Sequence, residues 1–286
     1  MKNLNLYLTL FLSLFFFDIY SQRNNSKELK TTLFDKIEVR NIGPAKVSGR
    51  ITKVIKDHSD KSIWYVTVAS GNIWKTENSG TTWIPIFEHY GSSSIGTITM
   101  DPNNSKILWV GSGENNSQRS VGFGDGIYKS IDAGVTWENM GLKTSEHIAK
   151  IIIDPNDSDN IFVASQGPLW RSGGERGLYN STDGGKNWTR ILHVNDDTGI
   201  SDVVMDHENN NVMYASTYQR RRHFGIIVAG GPDGGIFKSI DKGKSWKKLK
   251  NGLPGGDLGR IGLAISPQQS NVVYALITAK EKTKGF

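Results

Sequence analysis

The chain has 286 residues, with 34 Lys+Arg against 28 Asp+Glu, 32 glycines, 8 tryptophans and no cysteine. The missing cysteine excludes a disulfide framework, a thiolate metal site, a cysteine nucleophile and a lipoprotein anchor. The formal charge of +6 is misleading as a global property. The stretch Lys242 to Phe286 holds nine basic and two acidic residues, so the domain-wide basic stripe of a nucleic-acid binder is lacking.

At the N-terminus, Lys2 precedes an apolar run from Leu4 to Phe17 that Asp18 closes. A spanning helix needs about 20 apolar residues, and this run is shorter. It has the charged start and apolar middle of a secretory signal, with cleavage expected near Ser21. Residues 1–21 are therefore predicted to be a signal peptide and 22–33 a disordered linker. Residues 34–286 form one repetitive domain. The mature protein is expected to be secreted, periplasmic or at the cell surface, with no stable membrane span.

Four octets then match one another in the pattern Ser/Thr-x-Asp/Asn-x-Gly-x-x-Trp. They run Thr76–Trp83, Ser130–Trp137, Ser181–Trp188 and Ser239–Trp246, with tryptophans 54, 51 and 58 residues apart. Each follows a short β-branched or aromatic strand, and two further strands lie upstream: Ile51 to Lys56, Ile95 to Met100, Ile148 to Ile153 and Ile200 to Met205, then Ile63 to Val68, Ile107 to Val110, Ile161 to Ala164 and Val212 to Ala215. Each repeat thus holds four strands, A to D, and a fixed period of this size marks a propeller or solenoid. The octet is expected to be the C–D turn. Its third residue (Asn78, Asp132, Asp183, Asp241) accepts backbone N–H groups, its Gly supplies a positive φ, and its tryptophan (Trp83, Trp137, Trp188, Trp246) buries against the neighbouring repeat. Four acidic positions on four separate repeats do not converge on one site, so these are structural and no metal is implied.

The octets resemble the Asp-box, or BNR, repeat of sialidases, xyloglucanase-type glycoside hydrolases and the VPS10 domain of sortilins. The phrases Arg40–Pro44, Gly113–Asn116 and Tyr218–His223 resemble large secreted bacterial proteins labelled sortilin N-terminal-like or glycosyl-hydrolase-like. The resemblance implies an all-β fold, a β-propeller of four-stranded antiparallel blades. Four blades are complete, and strands at Arg260 to Ile265 and Val272 to Ile277 begin a fifth. Ile37 to Ile42 reads as an unpaired strand able to close the ring. Four and a half blades do not close at this repeat length, so the chain is expected to be the N-terminal part of a larger propeller.

Strand parity sorts the connections. A–B and C–D turns share one rim and are short, while B–C and D–A loops share the other and are long. The long segments are Ser112–Asp125, Ser165–Arg176 and Ser216–Gly234 from B–C, with Glu88–Ser94, Gly141–His147, Val194–Gly199 and Asn251–Gly259 from D–A. They carry the candidate ligand-binding residues Arg119, Trp170, Arg171, Arg176, Tyr218, Arg220, Arg221, Arg222 and His223. Arginine forks pair with carboxylates and aromatic rings stack on flat ligands, although a charge run such as Arg220 to His223 equally suits a solvated or salt-bridged surface. Glu88–His89 and Glu146–His147 read either as acid–base pairs or as ordinary loop polarity.

Two functions remain open. One is a binding module that captures an extracellular peptide, protein or glycan on the long-loop rim. The other is a glycoside hydrolase of xyloglucanase or sialidase type, which needs two carboxylates roughly 5–10 Å apart; Glu114 and Glu175 are the candidates. The sialidase variant lacks its Arg-Ile-Pro start, since Arg50-Ile51-Thr52 stands there. Nucleophile-elbow, zinc-peptidase and phosphate-loop motifs are absent, and no cofactor is implied.

Overall fold

The computed structural model describes residues 49–116 and 121–280. The signal peptide, the linker, the strand expected at Ile37 to Ile42, the phrase Arg40–Pro44 and Arg119 lie outside these residues. The described residues belong to one compact unit.

Blade 1 is β1 (Ile51–Lys56), β2 (Trp64–Val68), β3 (Asn72–Thr76) and β4 (Ile84–Pro85), and blade 2 is β5 (Ile95–Met100), β6 (Leu108–Ser112), β7 (Ile127–Ser130) and β8 (Glu138–Asn139). Blade 3 is β9 (Ile148–Asp154), β10 (Asp157–Ser165), β11 (Gly177–Ser181) and β12 (Thr189–Leu192). Blade 4 is β13 (Thr198–Met205), β14 (Met213–His223), β16 (Gly235–Ser239) and β17 (Lys247–Lys248), with β15 (Ile226–Ala229) folded back on β14. Blade 5 contributes β18 (Leu258–Ile265) and β19 (Val273–Ala279). Every pairing between neighbouring strands is antiparallel. The first strands β1, β5, β9, β13 and β18 touch one another in series, so they form the inner wall around the axis. This is a β-propeller, with four four-stranded blades and two strands of a fifth among the described residues.

The core is a series of layers between blades rather than a single centre. Tyr65 and Ile73 of blade 1 pack with Ile98, Leu108 and Trp137 of blade 2. Trp109 and Ile127 then meet Ile151 and Val163, Phe162 and Leu178 meet Val203 and Met213, and Ile236 meets Ile261 and Leu263. Period-two alternation produces this: in β2 the pattern buries Tyr65 and Thr67 while Trp64, Val66 and Val68 are half-covered. Each fully buried aliphatic or aromatic side chain stabilises by roughly 1.5–3 kcal/mol. The layers therefore need both neighbours present, and no blade is self-sufficient.

The octets share one geometry. The first-position hydroxyl accepts the Gly N–H at 2.9 Å in Thr76, and at 2.8 Å in Ser130, Ser181 and Ser239. The third residue accepts the N–H four positions on, at 2.8 Å (Asn78), 2.9 Å (Asp132), 2.9 Å (Asp183) and 2.8 Å (Asp241). The octet glycines sit at φ 91° (Gly80), 89° (Gly134), 91° (Gly185) and 82° (Gly243), where a β-carbon is penalised.

Two expectations need correction. Trp137 and Trp188 do reach the preceding blade, donating to the carbonyls of Ile86 at 3.0 Å and Met140 at 2.7 Å. Trp83 and Trp246 instead donate to their own turns, at Gly80 (3.1 Å) and Gly243 (3.0 Å). Trp83 is 37% exposed, because no sheet precedes blade 1 among the described residues; Trp246 still packs on the layer between blades 3 and 4. The second correction concerns 216–234, expected as an irregular loop. Strand β14 runs on to His223 and turns at Phe224–Gly225 into β15, with Arg220 opposite Ala229 and Arg222 opposite Ile227.

Candidate functional site

The loop rim is organised by Glu114, Asn115 and Asn116, which follow β6 of blade 2. All four other blades reach this segment. Arg50, entering blade 1, grips Glu114 with two parallel bonds, Nε to Oε1 at 2.6 Å and Nη2 to Oε2 at 2.7 Å. From blade 3, the Ala149 carbonyl accepts Asn115 Nδ2 at 3.0 Å, and His147 Nδ1 lies 2.7 Å from the Glu114 carbonyl. Blade 4 sends Arg220 to the Asn116 carbonyl, and Arg260 of blade 5 donates to Asn115 Oδ1 at 3.3 Å. Among the described residues, a segment touched from all the other blades lies on their inner, axial side. It forms a polar hub on the loop rim.

Glu114 is 1% exposed. Burial would push its carboxyl up, but the Arg50 fork and the Asn116 amide hold it below the usual range. It is an ionised anchor rather than a proton donor. Glu175, half-buried, accepts the Thr144 N–H at 2.7 Å and its hydroxyl at 3.0 Å. Among the described residues, every carboxylate with a displaced pKa is displaced downward.

The arginines divide by exposure. Arg176 is fully buried, donating to the Gln166 and Arg171 carbonyls, and burial lowers its pKa to about 10. Its side chain lies over Gly167, where a β-carbon would stand 2.1 Å from Cγ. Arg220 is 3% exposed, donates to Gln166 Oε1 at 3.2 Å and stacks 6.0 Å from the centre of the buried Tyr218 ring. Arg221 donates to the Leu169 carbonyl at 3.2 Å and pairs with Asp197. Arg222 is buried and lies 6.0 Å from the centre of the Trp170 ring. Arg171 is exposed and pairs with Glu146 at 2.9 Å, and His223 is exposed beside Phe224. Trp170 is 66% exposed, Phe123 70% and Phe224 fully so. The rim therefore presents flat rings outward and turns most of its guanidinium groups inward, onto carbonyls.

The two Glu–His pairs do not act as pairs. Glu146 is committed to Arg171, while His147 is 2% exposed, and burial lowers its pKa to about 4. Glu88 and His89 are both exposed. Sequence reasoning missed Arg50, Arg260, Gln166 and His147 as hub members. No local signal marks them, because each meets the hub only once the described blades stand side by side.

No protein-family model matches the chain. It is 27% identical over 254 residues to the xyloglucanase Xgh74A of Acetivibrio thermocellus, which covers 79% of this chain and 28% of that enzyme. A shorter stretch of 104 residues is 33% identical to a vacuolar protein sorting/targeting protein 10 of Colletotrichum graminicola, covering 35% of this chain and 6% of that protein. Among solved structures it resembles an ancestral GH74 enzyme, with a TM-score of 0.63 and 18% identity, covering 82% of this chain and 30% of that one. This likeness confirms the propeller fold. The chain spans less than a third of the xyloglucanase it matches. The relatives favour the glycoside-hydrolase reading over that of a pure binding module.

Proposed function

We propose that the chain is the glycan-gripping part of an extracellular, Asp-box propeller of glycoside-hydrolase type, acting on a xyloglucan-class polysaccharide. The observation that carries this reading is Trp170, exposed on the loop rim with Arg222 at 6.0 Å from its ring centre. A flat, exposed indole backed by a cation suits a sugar ring, whose C–H face is apolar and whose rim is hydroxylated. The similarity to xyloglucanases over 79% of the chain supports the same substrate class.

Hydrolysis needs a protonated acid as well as an ionised carboxylate. Glu114 is consumed by Arg50, which leaves Glu175 as the remaining carboxylate candidate. The test is binding of xyloglucan to the purified chain by calorimetry, with release of reducing ends measured in parallel. Trp170→Ala is expected to weaken binding at least about fivefold, equivalent to about 1 kcal/mol. Unchanged binding in that variant, or no binding to xyloglucan or another β-glucan, overturns the reading. Release that disappears in Glu175→Gln extends the role to catalysis, and binding without release restricts the chain to the grip.

A further inference from the structure

Trp170 stands on the loop between β10 and β11 of blade 3. Leu169 beside it is 1% exposed and Trp170 66%, so one side chain plugs the loop into the protein and the next stands in solvent. An exposed ring grips a sugar more tightly when the backbone beneath it is already fixed, because ordering a loop on binding costs free energy. Arg176, the last residue before β11, supplies that fixing from inside the loop. Its Nη1 donates to the Gln166 carbonyl and its Nη2 to the Arg171 carbonyl at 3.2 Å. These two carbonyls lie on either side of Trp170 in the chain. The loop backbone rests directly on the arginine stem: Gly167, at φ 73°, has no room for a β-carbon, which would meet Cγ at 2.1 Å and Cδ at 3.1 Å.

Arg176 is fully buried, and among the described residues no carboxylate forms an ion pair with it. Burial lowers its pKa to about 10, so the guanidinium stays charged at neutral pH. Sheltering a cation from water is costly, and what meets this one is loop backbone. We propose that Arg176 is the positioning residue of the glycan grip, spanning two loop carbonyls so that Trp170 is held in its binding pose before the glycan arrives. A lysine donates from a single atom and does not span both carbonyls. Blade 4 braces the same loop from outside, where the Leu169 carbonyl accepts the Arg222 N–H at 2.8 Å and Arg221 Nε at 3.2 Å. Those bonds hold one point, whereas Arg176 holds two. The inference rests on the glycan reading of Trp170 and adds the residue that acts through that ring.

The test uses the whole chain labelled with fluorotryptophan, the Trp170 signal being assigned by its loss in Trp170→Phe. In Arg176→Lys the fluorine resonance of Trp170 is expected to move or broaden, while that of Trp109, buried between blades 2 and 3, stays in place. Xyloglucan affinity is expected to fall at least about fivefold in the same variant, with no further fall when Arg176→Lys is added to Trp170→Ala. An arginine that served the fold alone would weaken both backgrounds equally, and equal weakening overturns the proposal. So does an unchanged Trp170 resonance. If the wild-type chain binds neither xyloglucan nor another β-glucan, the glycan reading falls, and the fluorine signal decides whether Arg176 holds the ring. Should Arg176→Lys fail to fold, Arg176→Met fills the same space without a charge and takes its place in both measurements. Failure of both variants to fold assigns Arg176 to the fold and overturns the proposal.

Discussion

The two rims of the propeller secure their backbones by different means. On the turn rim, the hydroxyl and the Asp or Asn of each octet bond to groups two to four residues away. On the loop rim, the hub bonds join residues 33, 34, 64, 104 and 145 positions apart. A local turn forms wherever its residues occur, while the hub forms only once five blades stand around one axis. The turn rim is thus repetitive and chemically quiet, and the loop rim is singular and sensitive to each partner.

Four measurements break or sharpen that contrast, beginning with the largest effect. Gly113 precedes the hub at φ 87°, and a β-carbon there would lie 1.7 Å from the Glu146 carbonyl oxygen. Backbone cannot yield as a flexible side chain can, so Gly113→Ala is expected to cost at least about 4 kcal/mol by denaturant unfolding, or to give insoluble protein. A variant within 1 kcal/mol of wild type would show that the hub is loosely held.

Acid separates the rims by pH window. The folded pKa of His147 is depressed to about 4 from its ordinary 6.5. The unfolded chain therefore binds the extra proton first as pH falls. The contribution of His147 is fully present above about 6.5 and is lost as pH drops toward 4, by up to about 3 kcal/mol. On the turn rim, Asp183 and Asp241 are lowered to about 2 by bonds from Asn187 and Ser245. Their contribution is present above the usual carboxylate range and is lost only as pH falls toward 2. Hydrogen exchange across pH 7 to 2 should show the loop rim opening first, and simultaneous opening would refute the division. His147→Gln should flatten the upper window and leave the lower one.

A middle-sized effect belongs to Ser130→Ala. It strips the acceptor from the Gly134 N–H and the donor from Asp132 Oδ1, at about 2 kcal/mol. Ser181→Ala and Ser239→Ala should match it closely, since the geometry repeats; unequal losses would show that the octets are not equivalent in energy. The smallest effect is expected from Arg171→Ala, which removes an exposed pair with Glu146, at no more than about 0.5 kcal/mol. A larger loss would place Arg171 inside the hub network.

Much of the scaffold could be read from residue order. Strands β1 and β5 begin and end where the sequence predicts them, and the octets close as expected, because both signals are local. The reading failed at 216–234 on the backbone, where Arg220, Arg221 and Arg222 were expected on an irregular loop, either contacting a ligand or solvated and salt-bridged. They continue a strand, since their guanidinium groups find Asn116, Leu169, Asp197 and Trp170 on other segments. Glu114 misled in the same way. Its carboxylate suggested proton transfer, and Arg50, 64 residues away, makes it an anchor.

The amino-acid order alone therefore determined the repeat, the strand directions and the rim on which each connection emerges, because alternation and turn bonds act over a few residues. Only the tertiary structure decided which charges are sheltered and which rings stay open to a ligand. Those outcomes depend on desolvation and on partners that distant segments supply when the blades come together.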